Sequence, residues 1–211
     1  MQILVIGASQ GTGALVVREA LGRGHSVTAF ARNPQRLALE HPRLTLRKGD
    51  FHDADSVRSA VAGHAAVIIT ASATTLRGFK ENPYYFSRGT GFAIDAMRAQ
   101  GVPRLVVLSA LGTGESARLM PFVVRLLTVS FLLKLPFADH ERQEALVRES
   151  GLEWVIARPG RLTDGSARHE YLKKTGLEPV PLAISRADVA HFLVDAAEQA
   201  TWVGKAVQIG G

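Results

Sequence analysis

Near its start the chain carries a turn whose residue types suit anion binding. In the segment 3–13, ILVIGASQGTG, the glycines Gly7, Gly11 and Gly13 stand between an apolar run and a helically spaced segment. Glycine adopts φ angles closed to other residues and lets a backbone approach a ligand closely. Where a strand hands over to a helix, such a turn aims main-chain N–H groups and the positive end of the helix dipole at a pyrophosphate. Ser9, Gln10 and Thr12 add side-chain donors to the same turn. A bare glycine spacing says little; its place directly after a first strand is what makes it specific.

A site selective for an unphosphorylated adenosine ribose puts Asp or Glu about 20 residues past the turn. No acid stands there. The second apolar run, in SVTAFARNPQRL, ends at Arg32, with Arg36 one helical turn later. That pair can grip a 2′-phosphate through charge-assisted bonds, which selects NADPH over NADH; the alternative is two ordinary surface arginines at a helix start. In KGDFHDADSV, Asp50 can accept from an adenine amino group while Phe51 lies against the ring. Asp50 can instead cap the following helix, a task for which Asp53 and Asp55 are better placed.

Ser109, after the fifth apolar run, and His140 are the polar groups best suited to chemistry beside such a cofactor. Histidine titrates in the useful range, so His140 can bond the cofactor ribose or relay a proton; equally it can be a solvated residue at a helix start between Asp139 and Glu141. Arg158 and Asp188 read as structural, in a buried arginine–aspartate or helix-dipole role. The other histidines lack metal-ligand spacing, and with no cysteine in the chain a thiolate zinc site, a disulfide framework and a cysteine nucleophile are excluded. No metal is expected.

The elements that would position these groups follow from hydrophobic patterning. Short runs rich in Val, Ile and Leu at 3–6, 27–30, 44–46, 66–70, 105–108 and 154–157 read as buried strands, with helical spacing at 13–21, 54–62, 85–100 and 140–149. A further helix is expected over 185–199 and a last strand over 206–209. Alternation of this kind predicts an α/β, Rossmann-type doubly wound fold, a mostly parallel sheet with helices on both faces. No linker, repeat or low-complexity tract interrupts it, so residues 1–211 read as one dinucleotide-binding domain with a small C-terminal elaboration on the substrate side.

Composition narrows the partners. Of 211 residues, 46% are hydrophobic and 21% charged, an ordinary globular balance, and the formal net charge is +6. The cations are scattered rather than blocked, which speaks against nucleic acid and suits an anionic cofactor. MQILVIGAS lacks a basic leader, so a cytoplasmic protein is expected. The apolar stretch 118–137, RLMPFVVRLLTVSFLLKLPF, is broken by Arg125, Lys134, Pro121 and Pro136 and should not span a membrane. Residues 119–137 read instead as a lid or pocket wall for a flat or apolar substrate such as a flavin or quinone; a homodimer contact or docking on a membrane surface is the alternative.

Taken in order, GASQGTG, ARNPQRL, KGDFHDADSV, VVLSALG, DHERQEALVRESGLEWVIARPGRL and ISRADVAHFLV resemble the atypical short-chain dehydrogenase/reductases, the NAD(P)H-binding branch that includes NmrA-like proteins and the flavin reductase/biliverdin-IXβ reductase group. The resemblance covers almost the whole chain. It implies that Gly7 to Gly13 hold the pyrophosphate, Arg32 and Arg36 the 2′-phosphate, and Asp50 with Phe51 the adenine. It further implies that Ala71, Ser72 and Ala73 line the ribose and diphosphate, that Ser109 sits beside the nicotinamide, and that Pro159, Gly160, Arg161 and Leu162 form a wall beneath it. Two departures stand out. The glycine spacing is G-x-x-x-G-x-G, and no Tyr-x-x-x-Lys is present, since Arg88, Gly89 and Thr175 follow Tyr84, Tyr85 and Tyr171 by four. An NADPH-dependent reductase working by hydride transfer is therefore expected, with a redox sensor that holds NADP without turnover as the rival; a sugar-nucleotide epimerase, which leans on the missing pair, ranks third.

Overall fold

In the computed structural model, which describes residues 1–71, 82–122, 125 and 133–211, β1 (Gln2–Ile6) is buried from Ile3 onward on both faces. A strand apolar on both sides needs a packed layer on each. The chain supplies them by alternating: α1 (Gly11–Gly22), β2 (Ser26–Ala31), β3 (Leu44–Lys48), α2 (Ala54–Val61), β4 (Ala66–Ile69), α3 (Tyr85–Gln100), β5 (Arg104–Leu108), α4 (Lys134–Arg148) and β6 (Glu153–Pro159). β7 (Arg161–Thr163), β8 (Leu172–Thr175), β9 (Ala183–Ser185), α5 (Arg186–Glu198) and β10 (Lys205–Gly210) follow.

Among the described residues eight strands form one sheet in the order β3-β2-β1-β4-β5-β6-β10-β8, parallel throughout except for β8, which runs antiparallel to β10. The winding reverses between β1 and β4, where Ile6 is in register with Ile69. At that reversal neighbouring crossovers leave on opposite faces and a crevice opens above the strand ends. Side chains alternate accordingly. Ile3 and Val5 pack with Val16, Val17, Phe192 and Leu193 of α1 and α5, while Leu4 and Ile6 pack with Val57, Val61, Met97 and Val147 of α2, α3 and α4. Each such side chain contributes about 1.5–3 kcal/mol of burial, so the two layers hold the crevice rigidly.

Three expectations need correction. β3 is an edge strand rather than a buried one, with Leu46 at 41% exposure and Arg47 and Lys48 at its end. α4 starts at Lys134, six residues before His140, because Pro136 falls in its first turn, where a missing N–H costs nothing. The short strands β7, β8 and β9 were not foreseen; β7 and β9 pair in parallel as a two-stranded ribbon beyond the main sheet. The outer strand β8 carries Lys173 and Lys174. Among the described residues no helix is long and apolar enough to cross a membrane. Residues 123, 124 and 126–132 of the 119–137 segment lie outside the described residues.

Candidate functional site

The glycine turn is built from two kinds of position. Gly7 has φ +89°, and its N–H donates to the Phe30 carbonyl at 3.0 Å. A Cβ there would lie 2.6 Å from the Ala71 nitrogen, and one on Gly13 would lie 2.2 Å from the Gly7 carbonyl oxygen. These two glycines let α1 press onto the ends of β1 and β4. Gly11, at φ +54°, would place a Cβ in open space. Gln10, at the helix N-cap, gives no side-chain cap, and the first turn of α1 holds no acidic residue. The leading N–H groups of a helix have no intrahelical partner, so this end offers donors and a positive dipole to an anion.

The turn opens into a cleft of about 530 Å³ across the β1/β4 reversal. Gly7, Ser9, Gln10, Gly11, Thr12 and Ala71 line its middle. Beyond the ends of β2 and β3 lie Arg32, Asn33, Arg36, Asp50, Phe51 and Tyr85; toward β5 and β7 lie Leu108, Leu162, Asp164 and Arg186. Arg32 and Arg36 are exposed, and no ion pair among the described residues engages either. Asp50 does not cap α2: Asp53 does, accepting from the Asp55 N–H at 3.3 Å, while Asp50 accepts from the His52 N–H at 2.9 Å. Phe51 is only 6% exposed and is wedged so closely against Gly89 of α3 that a Cβ there would sit 2.4 Å from its ring. It is thus a largely buried side chain that also lines the cleft. Tyr85, unforeseen from sequence, meets the His52 ring edge-on at 4.4 Å, and burial pushes its phenol up, with Arg32 opposing and Asp50 reinforcing the shift.

Neither Ser109, which is buried, nor His140, which is half-buried, is among the residues lining the cleft. Ser109 is buried and donates to Glu144 Oε1 at 2.7 Å. Glu144 also receives Arg158 Nε at 2.9 Å and Nη2 at 2.5 Å, and Arg158 Nη1 donates to Glu115 at 2.8 Å. Arg158 is 1% exposed; although its burial opposes charge, the two glutamates hold it protonated, and Arg158 in turn keeps the Glu115 carboxyl below its ordinary range. Its structural role stands, but its partners are glutamates. Asp188 lies elsewhere, accepting from the Arg168 and His169 N–H groups at 2.9 Å each and from the Ser185 hydroxyl at 2.7 Å. Burial opposes this, yet those donors hold its carboxyl below the usual range.

His140 stacks on Phe86 with ring centroids 3.9 Å apart, and burial lowers its pKa from 6.5. Gln143 donates from Nε2 to Thr90 Oγ1 at 2.9 Å, so its Oε1 accepts from His140 Nδ1 at 2.9 Å. With its pKa lowered by burial the imidazole is neutral at pH 7, and Nδ1 donating to Gln143 leaves Nε2 as the acceptor. Beside it, Asp139 is wholly buried and caps α3, accepting from the Phe86 N–H at 2.6 Å and the Ser87 hydroxyl at 2.5 Å. Of the segment 159–162, Leu162 reaches the cleft. Pro159 is buried, Arg161 is exposed, and Gly160 is pressed to the Leu182 carbonyl, where a Cβ would lie 2.4 Å away. Ser72 and Ala73 lie outside the described residues. Among the described residues no group of three or more metal-ligating side chains gathers.

An uncapped helix start and a glycine turn at the reversal of a parallel sheet, flanked by Arg32 and Arg36, which make no ion pair among the described residues, define a Rossmann-type dinucleotide-binding protein. Residues 7–200 match the model of a family described as NAD(P)H-binding, and the chain belongs to that family. It is 35% identical over 113 residues to a 3-beta-hydroxysteroid dehydrogenase from Mycolicibacterium neoaurum, a match covering 50% of this chain and 31% of that protein. It is 25% identical to an uncharacterized chloroplastic protein of Arabidopsis thaliana, over 99% of this chain and 76% of that one. The chain thus spans about a third of the steroid dehydrogenase and about three quarters of the plant protein. Among solved structures, a short-chain dehydrogenase/reductase from Veillonella parvula in complex with NADP superposes with TM-score 0.84 at 17% identity, covering 100% of this chain and 94% of that one. The anaerobillin reductase ChuY from Escherichia coli O157:H7 does so with TM-score 0.81 at 22% identity, covering 99% and 96%. At these identities the likeness is one of fold.

Proposed function

We propose that this chain is an NADPH-dependent reductase of a small, flat or apolar acceptor such as a flavin or quinone, working in the cytoplasm without nucleic acid. The observation that carries the reading is the pairing, in one cleft, of the uncapped start of α1 with Arg32 and Arg36, which make no ion pair among the described residues. Gly7, Ser9, Gln10, Gly11, Thr12 and Ala71 would hold the pyrophosphate, with Gly13 letting the helix approach; Arg32 and Arg36 the 2′-phosphate; Asp50 the adenine amino group; and Leu162 the wall toward the nicotinamide. The sheet from Gln2 to Gly210 supports one domain, with 160–185 as its substrate side.

When bound, NADPH supplies the hydride. The protein orients the acceptor and manages a proton. Ser109, its own proton given to Glu144, presents lone pairs; His140 presents Nε2 as an acceptor for a ribose hydroxyl or a relayed proton. The 119–137 segment, as lid or homodimer contact, belongs to this same reading. A redox sensor that binds NADP without turnover is the second reading, favoured by the absence of Tyr-x-x-x-Lys and by Ser109 and His140 being engaged away from the cleft lining. NADPH oxidation assayed with a panel of flavins and quinones separates the two: turnover supports the reductase, tight binding with none supports the sensor. In calorimetry, Arg32→Ala with Arg36→Ala should weaken NADPH by about 10- to 100-fold and NADH little, from the loss of charge-assisted bonds. Equal effects on both coenzymes would overturn the 2′-phosphate assignment.

A further inference from the structure

On the nicotinamide side the cleft carries a cation that none of the roles above uses. Thr163 of β7 is in register with Ser185 of β9. One residue further along each strand stand Asp164 and Arg186, and Arg186 Nη1 meets Asp164 Oδ1 at 2.5 Å. Both line the same cleft as Ser9, Gln10 and Thr12. Arg186 opens α5, which packs along α1, and it lines the same cleft as the helix start that lacks a cap. The α5 N-terminus is itself satisfied by Ser185, which accepts from the Asp188 N–H, so the Arg186 side chain is not needed there.

The two partners differ in environment. The Arg186 side chain is 30% exposed and that of Asp164 is 90% exposed. An ion pair with one member almost wholly in water is screened and contributes little. A phosphoryl group held by the α1 amides would present two oxygens in a less solvated place, a better match to the fork of a guanidinium.

We propose that Arg186 is a dinucleotide-binding residue, with Asp164 as its resting partner: on binding, the guanidinium leaves Asp164 for an oxygen of the pyrophosphate bridge. This rests on the reading of the cleft as an NADPH site. No bond other than hydrogen bonds changes, and the charge released on Asp164 is taken up by water.

The test is calorimetric titration of NADPH, NADH and 2′-AMP, which lacks the bridge, into wild type, Arg186→Gln and Asp164→Asn. Arg186→Gln should weaken NADPH and NADH by the same factor, about 10-fold or more, and leave 2′-AMP unchanged. Asp164→Asn should tighten both coenzymes several-fold, a gain that misfolding cannot mimic. Wild-type binding of NADPH with no change in Arg186→Gln overturns the proposal, as does an effect confined to the KM of an anionic acceptor. Failure of wild type itself to bind either coenzyme overturns the underlying reading and is seen without any variant.

Discussion

Ser109 Oγ lies 2.7 Å from Glu144 Oε1, on a carboxylate that Arg158 grips from Nε and Nη2. A carboxylate so held can only accept, so the serine proton is committed. The pair ties together the end of β5, the end of β6 and the middle of α4. Glu144→Gln leaves a buried guanidinium short of its counter-charge, and unfolding in urea should show a loss of about 3–5 kcal/mol. Ser109→Ala removes one hydrogen bond to a charged group and should cost about 1.5–3 kcal/mol.

Two substitutions in the glycine turn should part stability from binding. Gly13→Ala drives a Cβ into the Gly7 carbonyl at 2.2 Å and the Thr70 hydroxyl at 2.6 Å, so the upper end of the about 1–3 kcal/mol cost of overpacking is expected in denaturant unfolding. Gly11→Ala meets nothing and carries only the strain of φ +54°, about 1 kcal/mol. Its methyl group nevertheless occupies the open side of the turn, so NADPH affinity in calorimetry should fall more than stability does.

His140 makes stability depend on pH near neutrality. Burial, partly offset by Gln143, lowers its pKa from 6.5, so the unfolded chain takes up a proton before the folded one. Stability from the neutral ring is complete above about pH 6.5 and declines as pH falls from there toward the folded value. His191, lowered by burial too, titrates in the same window. Urea unfolding at pH 7.5 and 5.5 should therefore show a loss on acidification that is smaller in His140→Gln; an identical loss would assign the effect to His191. Asp188 and Glu115, held low, act only at more acidic pH, where their stabilisation is lost as pH falls through the carboxylate range.

Asp139 caps a helix to which it does not belong. α3 has no side-chain cap of its own at Tyr84, and Asp139 of α4 accepts from the Phe86 N–H and the Ser87 hydroxyl. Asp139→Ala should cost about 2 kcal/mol and speed hydrogen exchange at the first turn of α3 relative to its last. Unaltered exchange at Phe86 and Ser87 would sink the capping role.

These cases show what a reader of the sequence can recover. The helix 85–100 was legible to the residue because its apolar spacing runs cleanly to Gly101, which ends it at φ +67°. The glycine turn and Arg32 were legible because strand, turn and helix are contiguous. Asp139 and Glu144 were not: in ADHERQEALVR they sit among charges and read as a solvated face. Their partners come from α3, β5 and β6, which local pattern does not reveal. The Asp164–Arg186 pair depends wholly on the register of two three-residue strands, too short and too mixed in polarity to announce themselves.

The two rims of the sheet have a bearing on how copies of this protein meet. β3 ends in Arg47 and Lys48, and β8 carries Lys173 and Lys174. An incoming strand seeking to extend the ladder from another copy would bring like charge against like charge and strand its lysines without water. Growth into continuous ribbons is thereby discouraged at both ends, and a concentrated solution keeps its backbone donors and acceptors for internal use.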